Sequence, residues 1–223
     1  MNVSDSAIVR ASGGIASDDT SETGPVTTGG TGGIVFNGDE GTVYGSVTLQ
    51  EDLTIDEGEN LDIPNDASLT ISNGTTLTNK GTVTNSGTLT NNGTINNSGT
   101  LPNNISGNGT INHAPTITTA NPLPSGTEGK SYSQKFAAEG TAPTWSVTDG
   151  ILPDGLNLNK STGEIFGTPS APGTFKFTVT ATNVAGSNSK ELSIIIAPAP
   201  LSITVQPQSA TVTEGNPGLR LRH

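Results

Sequence analysis

There is no cysteine among the 223 residues, which removes disulfide staples, thiolate metal sites and cysteine nucleophiles together. Aromatic residues make up 4% of the chain and hydrophobic residues 30%. That is too little for one large core and suits thin β architectures. No apolar run is long enough to span a membrane. The opening Met1-Asn2-Val3-Ser4 has no charged segment followed by an apolar one, so no signal peptide is visible. Positive charge is scarce: no Lys or Arg lies between Ala11 and Asn79, while Asp and Glu recur, and the formal net charge is −11. A surface of that sign repels phosphate backbones and disfavours nucleic acid as a partner. Its plain role is solubility.

The residues of acid–base chemistry are also missing. From Ala67 to Thr127 there is no carboxylate, and Lys80 and His113 are the only ionisable side chains. Glycosidase and lyase chemistry on a β scaffold needs converging carboxylates or bases. The chain has two histidines, His113 and His223, far apart in sequence. They make no credible zinc pair, and no Gly-x-Ser-x-Gly elbow flanks a serine. The glycine run Gly29–Gly33 lacks the strand and helix of a phosphate loop. The expectation is that this is not an enzyme and needs no cofactor, calcium being the one left open below.

What is present is Thr, Asn, Ser and Gly in a regular order. Residues 1–33 show no period and read as a disordered leader. Residues 34–113 carry short aliphatic alternations. Leu53, Leu61, Leu69 and Leu77 are eight apart, and Leu77, Val83, Leu89, Ile95 and Leu101 are six apart. Gly81, Gly87, Gly93 and Gly99 keep the six-residue step. Each hexad predicts one small strand with its aliphatic residue inward and its neighbours outward. Asn and Gly are expected to turn the chain, because both tolerate positive φ. One hexad cannot bury enough to be stable, but stacked coils bury a continuous aliphatic column. The alternative, a disordered Asn/Thr tract, does not account for so regular a register. The region resembles the hexapeptide or haemagglutinin-type β-helices of bacterial adhesins.

At His113-Ala114-Pro115 the repeat stops, and proline marks a natural boundary. Longer alternations follow: Tyr132/Gln134/Phe136, Trp145/Val147, Phe175/Phe177/Val179/Ala181 and Leu192/Ile194/Ile196. Short strands between Gly/Pro turns predict a β-sandwich. Within 114–197 stand Leu152-Pro153-Asp154-Gly155-Leu156, Ser161-Thr162-Gly163-Glu164-Ile165-Phe166-Gly167-Thr168-Pro169 and Ala181-Thr182-Asn183-Val184-Ala185-Gly186. This segment resembles the bacterial putative-Ig family, a cadherin-like, dystroglycan-type immunoglobulin-like sandwich seen in tandem on surface proteins. The resemblance implies a spacer or adhesion role, sometimes with calcium at domain junctions, and no catalysis. Residues 198–223 read as a Pro-rich linker and the truncated start of a further Ig-like domain, so neighbouring Ig-like domains are expected partners.

The expected fold class is therefore all-β: a short β-solenoid followed by an immunoglobulin-like β-sandwich. Asp56-Glu57-Gly58-Glu59-Asn60 bunches oxygen atoms that suit calcium, yet matches no calcium loop; it reads first as a solvated acidic turn. Glu128, Asp149, Asp154 and Asn183 are further weak calcium candidates from the Ig-like segment. Trp145 alternates with Val147 and is read as core before it is read as a sugar platform. The triplets Thr76/Thr78, Thr82/Thr84 and Thr88/Thr90 invite an ice-binding reading. With three hexads to a coil they fall on three different faces, which argues against it. The functional expectation is a non-catalytic structural and adhesive module of a bacterial cell-surface or secreted protein, with a glycan or a cell-surface protein as ligand. A carbohydrate-binding accessory module of a glycan-degrading enzyme is the alternative.

Overall fold

The computed structural model describes residues 7–11 and 32–201. Every regular element among the described residues is a strand, and no helix is long and apolar enough to cross a membrane. The first strands are β1 (Ala7–Ala11), β2 (Gly32–Asn37), β3 (Glu40–Leu49) and β4 (Leu53–Ile55). Two further coils follow: β5 (Asn60–Ile63), β6 (Ser68–Ile71) and β7 (Thr76–Asn79), then β8 (Thr82–Asn85), β9 (Thr88–Asn91) and β10 (Thr94–Asn97). The last short strands are β11 (Ile105–Ser106) and β12 (Thr110–His113).

β2 pairs antiparallel with β3, and from β3 onward the strands stack in parallel on three faces. β3 serves two of them: Glu40–Thr42 pairs with β5, and Ser46–Leu49 pairs with β6. The first face continues from β5 to β8, the second from β6 through β9 to β11, and the third runs β4-β7-β10-β12. The eight-residue and six-residue steps are thus one structural step, from one face to the next, with longer corners in the earlier coils. Leu69 stacks on Leu89, and Leu77 lies between Leu53 and Ile95. Val47, Leu49, Leu61, Ile63, Leu69, Leu77, Val83, Leu89 and Ile95 are buried in one column. The three threonine triplets do lie on three different faces, as expected from the hexad count.

Two expectations need correction. The leader expected to be without structure up to residue 33 contains β1, which pairs in parallel with β2, while Gly32 and Gly33 belong to β2 itself. Ala7–Ala11 is too short to show a period, but a β-branched pair, Ile8 and Val9, can extend an existing sheet edge, and Ile8 packs against the solenoid core. Residues 1–6 and 12–31 of that leader, and the expected further Ig-like start after Leu201, lie outside the described residues.

The second correction concerns the hexad glycines. Gly81, Gly87, Gly93 and Gly99 are not among the glycines with positive φ. They are needed because coils touch there. A Cβ at Gly87 would stand 2.1 Å from the Pro64 carbonyl oxygen, and one at Gly99 would stand 2.0 Å from that of Gly81. The asparagines beside them turn inward and satisfy corner groups. The fully buried Asn79 donates through Nδ2 to Asn97 Oδ1 at 2.7 Å and to the Thr100 carbonyl at 2.8 Å. Asn91 donates to the Thr110 carbonyl at 3.1 Å and accepts from Gly93 N. Buried backbone groups need such partners where the ladder bends.

The second half builds β13 (Thr116–Ile117), β14 (Gly126–Thr127), β15 (Tyr132–Lys135), β16 (Ala138–Glu139), β17 (Thr144–Gly150), β18 (Leu156–Asn159), β19 (Glu164–Gly167), β20 (Gly173–Asn183) and β21 (Gly186–Ala197). One sheet runs β14-β21-β20-β17 and the other β15-β19-β18. Their inner faces share a core of Tyr132, Trp145, Leu156, Ile165, Phe177, Val179, Leu192, Ile194 and Ile196. Trp145 is 5% exposed, so its core reading holds. Its ring leans on Phe136, centroids 5.5 Å apart. The solenoid core and this core share no residue.

Candidate functional site

The acidic turn between β4 and β5 is wired to its own neighbours. Asp56 Oδ1 takes the Lys80 ammonium at 3.0 Å, both side chains being more than half exposed. Glu59 Oε2 accepts from the Asp56 amide at 2.8 Å, and Asn60 donates to Glu40 Oε1 at 2.8 Å. Glu57 is exposed at the tip. In the Ig-like half, Glu128 accepts from the Ala199 amide at 3.3 Å. Asp149 is exposed beside the irregularity in the β17–β20 ladder, and Asp154 is exposed in the turn before β18. Among the described residues no three His, Asp or Glu side chains gather where they could hold a metal ion. Asp56 and Glu59 are thus engaged with Lys80 and a backbone amide, while Glu57 stands exposed. The expected result of adding EDTA is a melting temperature unchanged within a few degrees; a drop of about 10 °C or more would reveal a structural metal.

The strand β12 ends at the joint between the two cores, and its last residue carries the joint. The His113 amide donates to Thr141 Oγ1 at 2.9 Å, and its carbonyl accepts from the Thr141 amide at 3.1 Å. Asn183, from the end of β20, donates through Nδ2 to the same His113 carbonyl and to the Thr141 carbonyl, both at 2.8 Å. Its Oδ1 accepts from Ala185 N and Gly186 N. Every polar atom of this side chain is spent on the joint and its hairpin, so Asn183 acts as a clamp. Thr141 had no signal in the sequence: it is one threonine among many, and only the fold brings it to His113.

A cleft of about 680 Å³ opens beside the Trp145–Phe136 pair, lined among others by Lys135, Pro143, Ser161 and Thr162. The loop before β19 shapes it. Asn159 Oδ1 accepts from the amides of Ser161 and Thr162, which forms a tight Asx-type turn. Gly163 follows at φ +71°, and a Cβ there would stand 2.7 Å from Trp145 Nε1. The glycine of the Ser-Thr-Gly signature is therefore required twice, by its backbone and by the indole edge beside it. At the start of β15, burial raises the Tyr132 phenol above its usual range. Its hydroxyl donates to the Pro124 carbonyl at 2.9 Å, a structural role.

Among solved structures, the chain is similar to an α-galactosidase/melibiase from Bacteroides fragilis, at 31% identity, covering 37% of this chain and 17% of that one, with a TM-score of 0.32. A second α-galactosidase from the same organism matches at 28% identity over the same shares, with a TM-score of 0.35. The titin M3 domain matches at 21% identity over 37% of this chain and 96% of its own length, with a TM-score of 0.29. The chain thus spans 17% of the length of the galactosidases it matches. No curated protein matches it. The family model described as Putative Ig domain matches residues 114–197, the segment that folds as the Ig-like β-sandwich behind the β-solenoid.

Proposed function

We propose that the chain is a non-catalytic structural and adhesive module of a bacterial cell-surface or secreted multi-domain protein. The solenoid is a stalk and the Ig-like domain a spacer that presents ligand-binding surface away from the cell. The observation that supports this reading is the joint at His113. The solenoid passes into the Ig-like domain with no linker, and the last β12 residue is held by the Thr141 backbone and the Asn183 side chain. Such a joint transmits orientation from one unit to the next, which a stalk requires and a tethered catalytic accessory does not. The absence of carboxylates on the later coils agrees with a scaffold rather than an active site.

Amide relaxation by NMR tests this directly. Residues of β4–β12 and of β14–β21 are expected to report one common, anisotropic tumbling. Asn183→Ala should loosen the joint and separate the two sets of values. Independent tumbling of the two units in the unmutated chain would overturn the stalk reading.

A further inference from the structure

We propose that the cleft beside Trp145 is a binding site for a carboxylate-bearing sugar, of the uronic-acid class. The proposal rests on the adhesive part of the reading above and supplies its ligand; it does not depend on the rigidity of the joint. The first observation is an unused donor. Trp145 is 5% exposed and lines the cleft, and its indole edge lies against Gly163, where only a residue without a side chain leaves it room. An indole N–H can only donate, and no described residue accepts from it. Buried tryptophans usually satisfy that group within the protein. Here that donor belongs to a residue that lines the cleft.

The second observation is the charge of the lining. In a chain with 20 Asp and Glu against nine Lys and Arg, this cleft is lined by one lysine and by no carboxylate. Lys135 makes no ion pair among the described residues. Glu164 faces it across the β15–β19 ladder, but that carboxylate accepts the Ser133 hydroxyl at 2.6 Å instead. The cleft is therefore lined by an indole, an ammonium and the hydroxyls of Ser161 and Thr162, the latter already accepting from the Glu164 amide. Donors in excess call for a ligand rich in acceptors, and an ammonium calls for a carboxylate. Hydroxyl partners beside the small apolar residues Ala137, Ala142 and Pro143 suit the mixed faces of a pyranose ring better than an extended peptide.

Trp145 is the sole tryptophan, so the full-length chain carries its own reporter. A glucuronate-containing tetrasaccharide is titrated against it, beside the same saccharide with its carboxylates reduced to alcohols and a peptide of four glutamates. The acidic sugar is expected to shift Trp145 emission saturably and to bind about tenfold or more tighter than either control, the worth of one charge-assisted hydrogen bond. Lys135→Met should remove that advantage and Lys135→Glu should abolish binding of the acidic sugar. Both changes lie on an exposed strand position, and an unchanged far-UV spectrum verifies the fold. The proposal is overturned if the acidic sugar gives neither an emission change nor heat in calorimetry up to about 10 mM. Equal binding of the neutral sugar overturns it as well. Equal binding of the glutamate peptide would make this a peptide site. Since the tumbling experiment does not involve the cleft, failure here leaves the stalk reading standing, and the converse.

Discussion

Val83→Asp is expected to unfold the solenoid while the Ig-like domain stays folded. Val83 is 2% exposed on β8, stacked on Leu61 of β5 within the aliphatic column. An aspartate there is cut off from water, and Lys80, the cation nearest to it in the chain, is engaged by Asp56 at the surface. An unpaired buried carboxylate costs several kcal/mol. A domain's whole stability is only about 5–15 kcal/mol, and in a repeat stack each coil depends on its neighbours. Strand signal in the far-UV spectrum should therefore fall. Trp145 lies in the other core, which shares no residue with the solenoid column. What crosses the joint is chiefly the hydrogen bonding at His113, worth about 1 kcal/mol per bond. The Trp145 emission maximum and its urea midpoint should consequently stay close to their original values. A Trp145 transition that moves together with the solenoid would mean that the two cores unfold as one, with the joint far stronger than its hydrogen bonds suggest.

Gly87→Ala should be nearly as damaging, although it adds only one methyl group. That carbon would stand 2.1 Å from the Pro64 carbonyl oxygen and 2.3 Å from that of Ala67. Both are backbone atoms of the coil below and cannot swing away, so the corner must open and the ladder bonds around it must stretch. Gly87 N and Ser86 N both donate to the Ile63 carbonyl at this corner. The expected loss is about 3 kcal/mol or more, of the order seen for overpacking and broken ladder bonds together. Gly74→Ala is the control. Gly74 has φ +88° with nothing within 4 Å of a built Cβ, so alanine there meets only backbone strain, about 1–2 kcal/mol. Urea unfolding followed by far-UV dichroism should rank the two in that order. If Gly74→Ala proves the more harmful, the hexad glycines serve turning rather than contact between coils.

Much of this fold could be read from local pattern. The aliphatic period names the inward residues, because a strand alternates its faces and a coil must repeat them. The six-residue spacing alone puts Val83, Leu89 and Ile95 in the buried column, and the alternation of Trp145 with Val147 puts the indole in the core. The Gly and Pro signature of the Ig-like half was equally legible, since tight turns demand particular residues at fixed offsets.

The remainder needed the tertiary structure, for one physical reason: it depends on atoms that approach across long sequence distances. The hexad glycines were visible, but not their purpose, which is set by the carbonyl of the preceding coil rather than by their own φ. β1 is too short to show a period and becomes a strand only through the edge that β2 offers it. The joint brings together His113, Thr141 and Asn183, none of which stands out from its neighbours in the chain. The acidic residues Asp56 and Glu59 stood out as oxygen ligands, whereas the fold gives them Lys80 and a backbone amide. The cleft is the same case. Lys135, Trp145 and Ser161 come from separate segments, and the sequence shows that a tryptophan is buried but not which residues line the cleft with it.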